Sequence, residues 1–92
     1  MITNLSVVSK TNKSVHCDLE DEVVILGLDD GVYYGLNPVG AFIWNYIQGL
    51  VKVEDIKDAI LEEYDVEKDV CEKDLLELLE DLLDKGLIEV QE

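Results

Sequence analysis

The feature that most constrains this chain is a change of rhythm inside "DGVYYGLNPVGAFIW", residues 30–44. Alternation up to Leu36 is typical of a strand, and helical spacing begins at Pro38, with Asn37 alone between them. Asn37 is a good N-cap because its side-chain oxygen can accept a bond from an unpaired amide, and proline suits the first helical position. The strand therefore runs directly into a helix, and the fold must hold this strand against the helical part.

Two stretches before this junction predict further strands, and the three together predict an antiparallel sheet. Ser14–Leu19 alternates between apolar and polar residues, and Glu22–Leu28 is rich in β-branched residues. The sequence "DDG" at 29–31 is typical of a hairpin turn because Gly31 tolerates a positive φ angle. The third strand is then Val32–Leu36, and the order along the chain makes the sheet a meander.

The same alternation predicts which side chains of the sheet face the core. In the first strand we expect one face to carry Val15, Cys17 and Leu19, opposite His16 and Asp18. In the second strand we expect Val24, Leu26 and Leu28 to face inward. Cys17 and Cys71 have no CxxC spacing, so neither predicts a zinc site, and we expect both to be small buried side chains.

Two amphipathic helices are predicted after the sheet, followed by a third and a short strand. The first runs from Pro38 to a stop near Gly49, and the second covers roughly Val53–Tyr64. The final stretch "LIEV", Leu87–Val90, predicts a terminal strand. The fold class is therefore α+β, with a three-stranded N-terminal sheet, a three-helix bundle and a possible short C-terminal strand, in an order that resembles a winged helix-turn-helix.

The third helix has a wide apolar surface. It opens with Asp69 and Glu72, spaced as an N-cap and its N3 partner, and ends at Gly86. Its apolar arc is about 160° wide, whereas a surface helix needs roughly 100°. The arc consists of Cys71, Leu75, Leu76, Leu78, Leu79, Leu82 and Leu83. Two interpretations follow: the domain itself covers this helix on two sides, or one side is the open wall of a groove.

Length and charge limit the classes of partner. The 92 residues predict one domain, 1–92, with a core of about 14–90. Twenty-two acidic residues face seven basic ones, none of them arginine, for a net charge of −15. Nucleic acids and anionic membranes need clustered basic residues, so we expect neither as a partner and disfavour a winged-helix DNA-binding domain. An acidic surface attracts a basic peptide, although the charge alone is also consistent with a role in solubility.

Targeting and catalytic signals are missing from the sequence. No apolar run is long enough to span a membrane, and the N-terminus lacks the features of a signal peptide, so we expect a cytoplasmic protein. His16 is the single histidine, and as a strand neighbour of Cys17 it points to the opposite face, so the two cannot form a catalytic pair. We therefore expect no enzymatic activity, no metal and no cofactor.

Three stretches together resemble a known family: "DLEDEVVILGLDDGVYYGLNPVGAFIW", "VEDIKDAILEEYDV" and "CEKDLLELLEDLLDKGLIEV". They are similar to the coenzyme-PQQ-synthesis D (PqqD-like) family, the leader-binding domains called RiPP recognition elements. Within it, the chain looks most like the stand-alone B component of lasso-peptide clusters. The resemblance covers about residues 14–90 and leaves the first dozen residues unaccounted for. Val53 stands where such domains often carry threonine, which bears only on helix capping.

The resemblance implies a binding function and a site. Such domains bind the leader segment of a ribosomally made precursor peptide, which adds as a strand beside the third strand, facing the third helix. The implied docking edge is Val32, Tyr33, Tyr34, Gly35 and Leu36. The implied opposite wall is Cys71, Leu75, Leu78, Leu79 and Leu82, bordered by Asp74.

The resemblance also implies partners. They are a leader peptide, a separate leader protease and a cyclase, and we expect the domain itself to be a monomer. A stand-alone recognition element of another modified-peptide pathway, such as a PQQ-type pathway, is the alternative.

Overall fold

The computed structural model describes residues 2–19 and 22–91; residues 1 and 92, the ends of the predicted single domain, lie outside these ranges. Antiparallel sheets and three helices confirm the predicted α+β class. In chain order the elements are β1 (Val7–Lys10), β2 (Ser14–Leu19), β3 (Glu22–Gly27), β4 (Tyr33–Leu36), α1 (Pro38–Tyr46), β5 (Val51–Lys52), α2 (Val53–Glu63), α3 (Lys68–Asp84) and β6 (Ile88–Gln91).

The first sheet has the order β2-β3-β4 and is the predicted antiparallel meander. Gly31 takes the positive φ angle expected in the hairpin turn, 67°. The Asp30 carboxylate accepts a hydrogen bond from the Val32 N–H at 3.0 Å and another from the Tyr34 hydroxyl at 2.7 Å. The turn therefore includes Val32, and β4 begins at Tyr33, one residue later than predicted.

A second three-stranded sheet, with the order β5-β1-β6, is missing from the sequence prediction. Its central strand, β1, comes from the first dozen residues, which the family resemblance left unaccounted for. Val8 lies opposite Val51 of β5 and Val90 of β6, and its side chain is fully buried. The predicted terminal strand Leu87–Val90 is confirmed as β6, one residue further along the chain.

The predicted inward face of β3 is wrong. Val23 and Ile25 are buried, whereas Val24 and Leu26 are only half-buried and Leu28 is 55% exposed. Both faces of this strand are apolar, so its alternation could not identify the buried one. Strand pairing selects the buried face, because Val23 lies opposite Leu36 and Ile25 opposite Tyr34. The helix α1, which follows Leu36 with only Asn37 between them, packs against β3 on this face.

The face of β2 that carries Val15 and Cys17 also points outward. Val15 is 52% exposed and Cys17 is exposed, so the predicted burial of Cys17 is wrong. His16 lies on the inner face instead, because it pairs with the buried Ile25, and its ring meets the Trp44 ring edge-on with 6.1 Å between the ring centres. The side chains of Asp18 and Leu19 lie outside the described part of the chain.

The first helix begins as predicted. The Asn37 side-chain oxygen accepts a hydrogen bond from the Gly40 N–H at 2.8 Å. The helix ends at Tyr46, before Gly49, which has a positive φ of 73° in the turn leading to β5. Of the helices formed by residues 2–19 and 22–91, none has the length and apolarity that a membrane span requires.

The N-cap of the third helix lies two residues before the predicted one. The Cys71 N–H already donates to the Glu67 carbonyl at 2.9 Å, so Glu67 is the N-cap, and it makes no side-chain capping bond. Asp69 is therefore not the cap. It lies in the first turn, where a carboxylate is stabilised by the helix dipole. The predicted end is confirmed: Gly86, with φ 75°, follows directly after the last turn.

The wide apolar surface of α3 is divided between two neighbours and a groove. Its core side carries Leu75, Leu79 and Leu82, all buried. The N-terminal segment covers another flank: Ile2 is buried and its N–H donates to the Glu80 carboxylate at 3.2 Å, and the Asn4 amide donates to the Glu72 carboxylate at 2.7 Å. The domain thus covers α3 on two sides, and the remaining flank borders the groove described next.

Candidate functional site

A groove of about 670 Å³ lies between the end of β4, the start of α1 and the exposed flank of α3. Its apolar floor consists of Leu36, Ile43, Ile60, Cys71 and Leu75, all buried. Partly exposed apolar side chains extend this surface toward the solvent: Val39, Tyr64, Val66, Val70 and Leu78. The groove therefore offers apolar pockets that are accessible from outside the domain.

The edge strand β4 runs beside this groove. Within the described residues β4 pairs with β3 alone, so its other edge has no strand partner. The Gly27 N–H donates to the Val32 carbonyl at 3.0 Å. In an antiparallel ladder hydrogen-bonded pairs alternate with non-bonded pairs, so Tyr34 and Leu36 bond to β3, whereas Tyr33 and Gly35 direct their N–H and C=O groups to the open edge.

The predicted site residues fall into three groups. Six of them line the groove: Gly35, Leu36, Cys71, Asp74, Leu75 and Leu78. Three others, Val32, Tyr33 and Tyr34, lie along the edge that leads to it, outside its lining.

Leu79 and Leu82 belong to the core, at 0% and 2% exposure. Leu79 points about 80° away from Cys71 around the helix. Leu82 lies one turn beyond Leu78, past the end of the groove.

Sequence reasoning missed the part of the groove that lies outside β4 and the predicted face of α3. The missed lining residues are Asn37, Val39, Gly40, Ile43, Ile60, Tyr64, Val66, Val70, Glu77 and Asp81. One signal was present in the sequence: α1 follows β4 with only Asn37 between, so its first turn must border any groove beside β4. Val39 and Ile43, four residues apart, share the face that does so.

Acidic side chains form the α3 rim of the groove. Asp74, Glu77 and Asp81 line it and are exposed. Asp81 binds the Lys85 ammonium at 2.6 Å, and the same Nζ lies 5.4 Å from the centre of the Tyr34 ring. This contact joins the last turn of α3 to the edge strand.

Three groups on the edge strand, its turn and the groove floor, namely Asp30, Tyr34 and Cys71, have shifted pKa values. The Val32 N–H, and secondarily the Tyr34 hydroxyl, stabilise the Asp30 carboxylate and lower its pKa. The hydrogen bond from the Tyr34 hydroxyl to Asp30 also raises the pKa of Tyr34, because the Asp30 carboxylate stabilises the protonated phenol. Burial raises the pKa of the Cys71 thiol, and the Asp74 charge adds to this. A reactive cysteine needs a lowered pKa, so the groove disfavours the thiolate form of Cys71.

Comparison with known proteins identifies a matching family. The family model for coenzyme PQQ synthesis protein D (PqqD) matches residues 22–88. Among solved structures, the chain is similar to "TbiB1 in Complex with the TbiA(beta) Leader Peptide", with 39% identity, a TM-score of 0.81, and coverage of 88% of this chain and 94% of that one. No curated protein matches the sequence.

A second solved structure, "Lasso peptide synthetase B1 complexed with the leader peptide", shares the fold at 21% identity and a TM-score of 0.72, covering 89% of this chain and 96% of that one. Strands β3 and β4 and the three helices described above lie within the residues that the family model matches, whereas β2 precedes them. Since the match covers well over half of the sequence, the chain belongs to the PqqD family.

Proposed function

We propose that this protein binds the leader segment of a ribosomally made precursor peptide in lasso-peptide biosynthesis, and that the leader adds as a strand to the edge of β4. The observation that carries the proposal is the pair of outward-facing residues, Tyr33 and Gly35, beside the mouth of an apolar groove. The TbiB1 structure, 39% identical, holds a leader peptide. The family description names PQQ synthesis, so a PQQ-type peptide pathway is the alternative.

Binding by strand addition divides affinity and specificity between two kinds of group. The outward N–H and C=O groups of Tyr33 and Gly35 bond to the guest backbone, which places little demand on guest sequence. Every second guest side chain then points into the groove, against Leu36, Leu75 and Leu78. A Cβ atom built at Gly35 would meet nothing within 4 Å, so the sheet face beside this edge is uncovered.

The predicted residues receive different roles in this proposal. Val32–Leu36 form the docking edge, and Cys71, Asp74, Leu75 and Leu78 form the wall that the leader contacts. Leu79 and Leu82 support that wall from the core. We also interpret α2, α3 and the β5-β1-β6 sheet as a winged helix-turn-helix-like arrangement whose acidic surface does not serve DNA binding.

The protein recognises the leader and leaves the chemistry to others. Among the described residues, no group of three or more His, Cys, Asp or Glu side chains is placed to hold a metal. His16 packs on Trp44, and Cys71 is kept protonated by burial. We infer a monomeric cytoplasmic protein that needs no cofactor and delivers the leader to a separate protease and a cyclase.

Calorimetric titration tests this function. The titrant is the leader segment of the precursor peptide encoded beside the gene, and its scrambled sequence is the control. We expect saturable one-to-one binding of the leader alone, and mass spectrometry of the mixture should find the precursor uncut. Equal binding of the scrambled peptide contradicts specific recognition. Cleavage by the purified protein that is lost in a His16→Ala, Cys17→Ala, Cys71→Ala variant contradicts the non-catalytic assignment, whereas cleavage that persists in this variant identifies a contaminating protease.

A further inference from the structure

We propose that the segment bound in this groove carries a lysine or arginine whose charged group lies against Asp74 and Glu77 of α3. The inference rests on the proposed function and adds the chemistry of the guest. It concerns one position of the guest and one pair of carboxylates, which distinguishes it from a general attraction by the net charge of −15.

The charges that line the groove are all of one sign. Its charged lining residues are Asp74, Glu77 and Asp81, with no lysine among them. Asp81 is already neutralised by Lys85, whose ammonium lies 2.6 Å away. Asp74 and Glu77 form no ion pair with any residue in the described ranges, 2–19 and 22–91. The uncompensated negative charge beside the groove is therefore concentrated on these two carboxylates.

Lys85 shows how this rim holds a cation. Its ammonium bonds to Asp81 and faces the Tyr34 ring, so one cation is held between α3 and the edge strand by a carboxylate and an aromatic surface together. A guest strand beside β4 occupies the next part of the same gap, between Gly35 and the Asp74–Glu77 part of α3. A basic guest side chain there lies against the carboxylates of Asp74 and Glu77, as Lys85 lies against Asp81.

The spacing of the two elements fits one basic guest position. Asp74 and Glu77 are about 4.5 Å apart along the helix axis, at a rise of about 1.5 Å per residue. Guest side chains that face the same way recur about every 6.6 Å along a strand. The pair of carboxylates therefore faces a single inward guest position, and the next one, two residues away, lies over the apolar floor.

The groove also accommodates the stem of such a side chain. Leu78 is half-buried beside the acidic rim, whereas Leu75 and Ile43 are fully covered at 1% and 3% exposure. The methylene stem of a lysine or arginine covers apolar surface of this kind while its charged end stays in water at the rim. The guest thus combines one apolar side chain in the floor with one basic side chain about two residues away.

Selection from a random-peptide phage library tests this chemistry. The immobilised full-length protein should enrich peptides with Lys or Arg about two residues from an apolar side chain. The best-enriched peptide is then synthesised, together with a version in which glutamine replaces its basic residue. At low salt, the double variant Asp74→Asn, Glu77→Gln should bind the basic peptide about three- to tenfold more weakly than the unmodified protein does. It should bind the two peptides almost equally.

A matched variant separates this local effect from net charge. Asp58→Asn with Glu62→Gln removes the same charge from exposed positions of α2 outside the groove lining, and we expect binding to change less than about twofold. Two outcomes overturn this inference and leave the proposed function standing. In the first, the enriched peptides protect the Tyr33 and Gly35 amides from hydrogen exchange but show no preference for basic residues. In the second, both double variants bind the basic peptide equally. Failure to enrich any peptide that protects these amides overturns both.

Discussion

Replacing Tyr33 by proline separates the strand-addition mechanism from any other way of occupying the groove. The Tyr33 N–H points away from β3, so its loss removes no bond of the folded protein. The side chain is 69% exposed, so little packing is lost. We expect the free energy of unfolding to change by less than about 1 kcal/mol, because proline is tolerated on the solvent side of an edge strand.

The effect on leader binding should be much larger. The variant loses one backbone donor, worth about 1 kcal/mol net, and the proline ring obstructs the approaching strand. A total of about 1–3 kcal/mol corresponds to a rise in Kd of about 5- to 150-fold. Calorimetric titration with the leader measures the rise in Kd, and urea unfolding measures the stability of the same samples.

Two control variants locate the cause of this loss. Tyr33→Ala removes the side chain and keeps the N–H, so the difference between it and Tyr33→Pro reports the backbone alone. Tyr34→Pro removes a donor that bonds to β3 and should destabilise the fold by about 1–3 kcal/mol, because an acceptor of the sheet loses its partner. If Tyr33→Pro binds the leader as tightly as Tyr33→Ala does, the guest does not add to this edge.

Three further predictions concern the residues that support the site. Leu75→Ala should lower the free energy of unfolding by about 2–5 kcal/mol and also weaken leader binding, because this 1% exposed side chain belongs to both core and groove floor. Leader binding that stays unchanged in the folded variant contradicts the role in the groove floor. Asn37→Ala should cost about 1 kcal/mol in urea unfolding through the lost Gly40 bond, and no loss would contradict the capping role. The pKa of Asp30 is lowered from its ordinary 3.8, so the ionised carboxylate stabilises the fold above pH 3.8, and this stabilisation is lost as pH falls through the folded-state pKa. In thermal unfolding across this pH range Asp30→Asn should lack this loss of stability, and a pH profile identical to that of the unmodified protein contradicts the prediction.

Local chemistry made part of this structure predictable from the sequence. The hairpin at Gly31, the Asn37 cap and the strand-to-helix junction each depend on residues within a few positions of one another, and all three are found. The family resemblance added the wall on α3, of which Cys71 and Leu75 line the groove.

Long-range pairing explains most of what the sequence could not provide. The central strand β1 is four residues long and pairs with β5 and β6, so Val8 meets Val51 and Val90 from distant parts of the chain. The inward face of β3 was also unpredictable locally, because Ile25 and Leu26 are equally apolar and only the pairing with β4 and the packing of α1 select Ile25. The family resemblance implies a groove position for Leu79, but this side chain points about 80° away from Cys71 around the helix and is buried in the core.

Amide hydrogen exchange, measured residue by residue with and without saturating leader, tests the central claim most directly. In the free protein Tyr34 and Leu36 should exchange slowly because they bond to β3, and Tyr33 and Gly35 should exchange fast because their amides face water. Added leader should slow the exchange of Tyr33 and Gly35 and leave Tyr34 and Leu36 nearly unchanged. If saturating leader leaves Tyr33 and Gly35 as fast as in the free protein, the leader does not pair with β4 and the account is wrong.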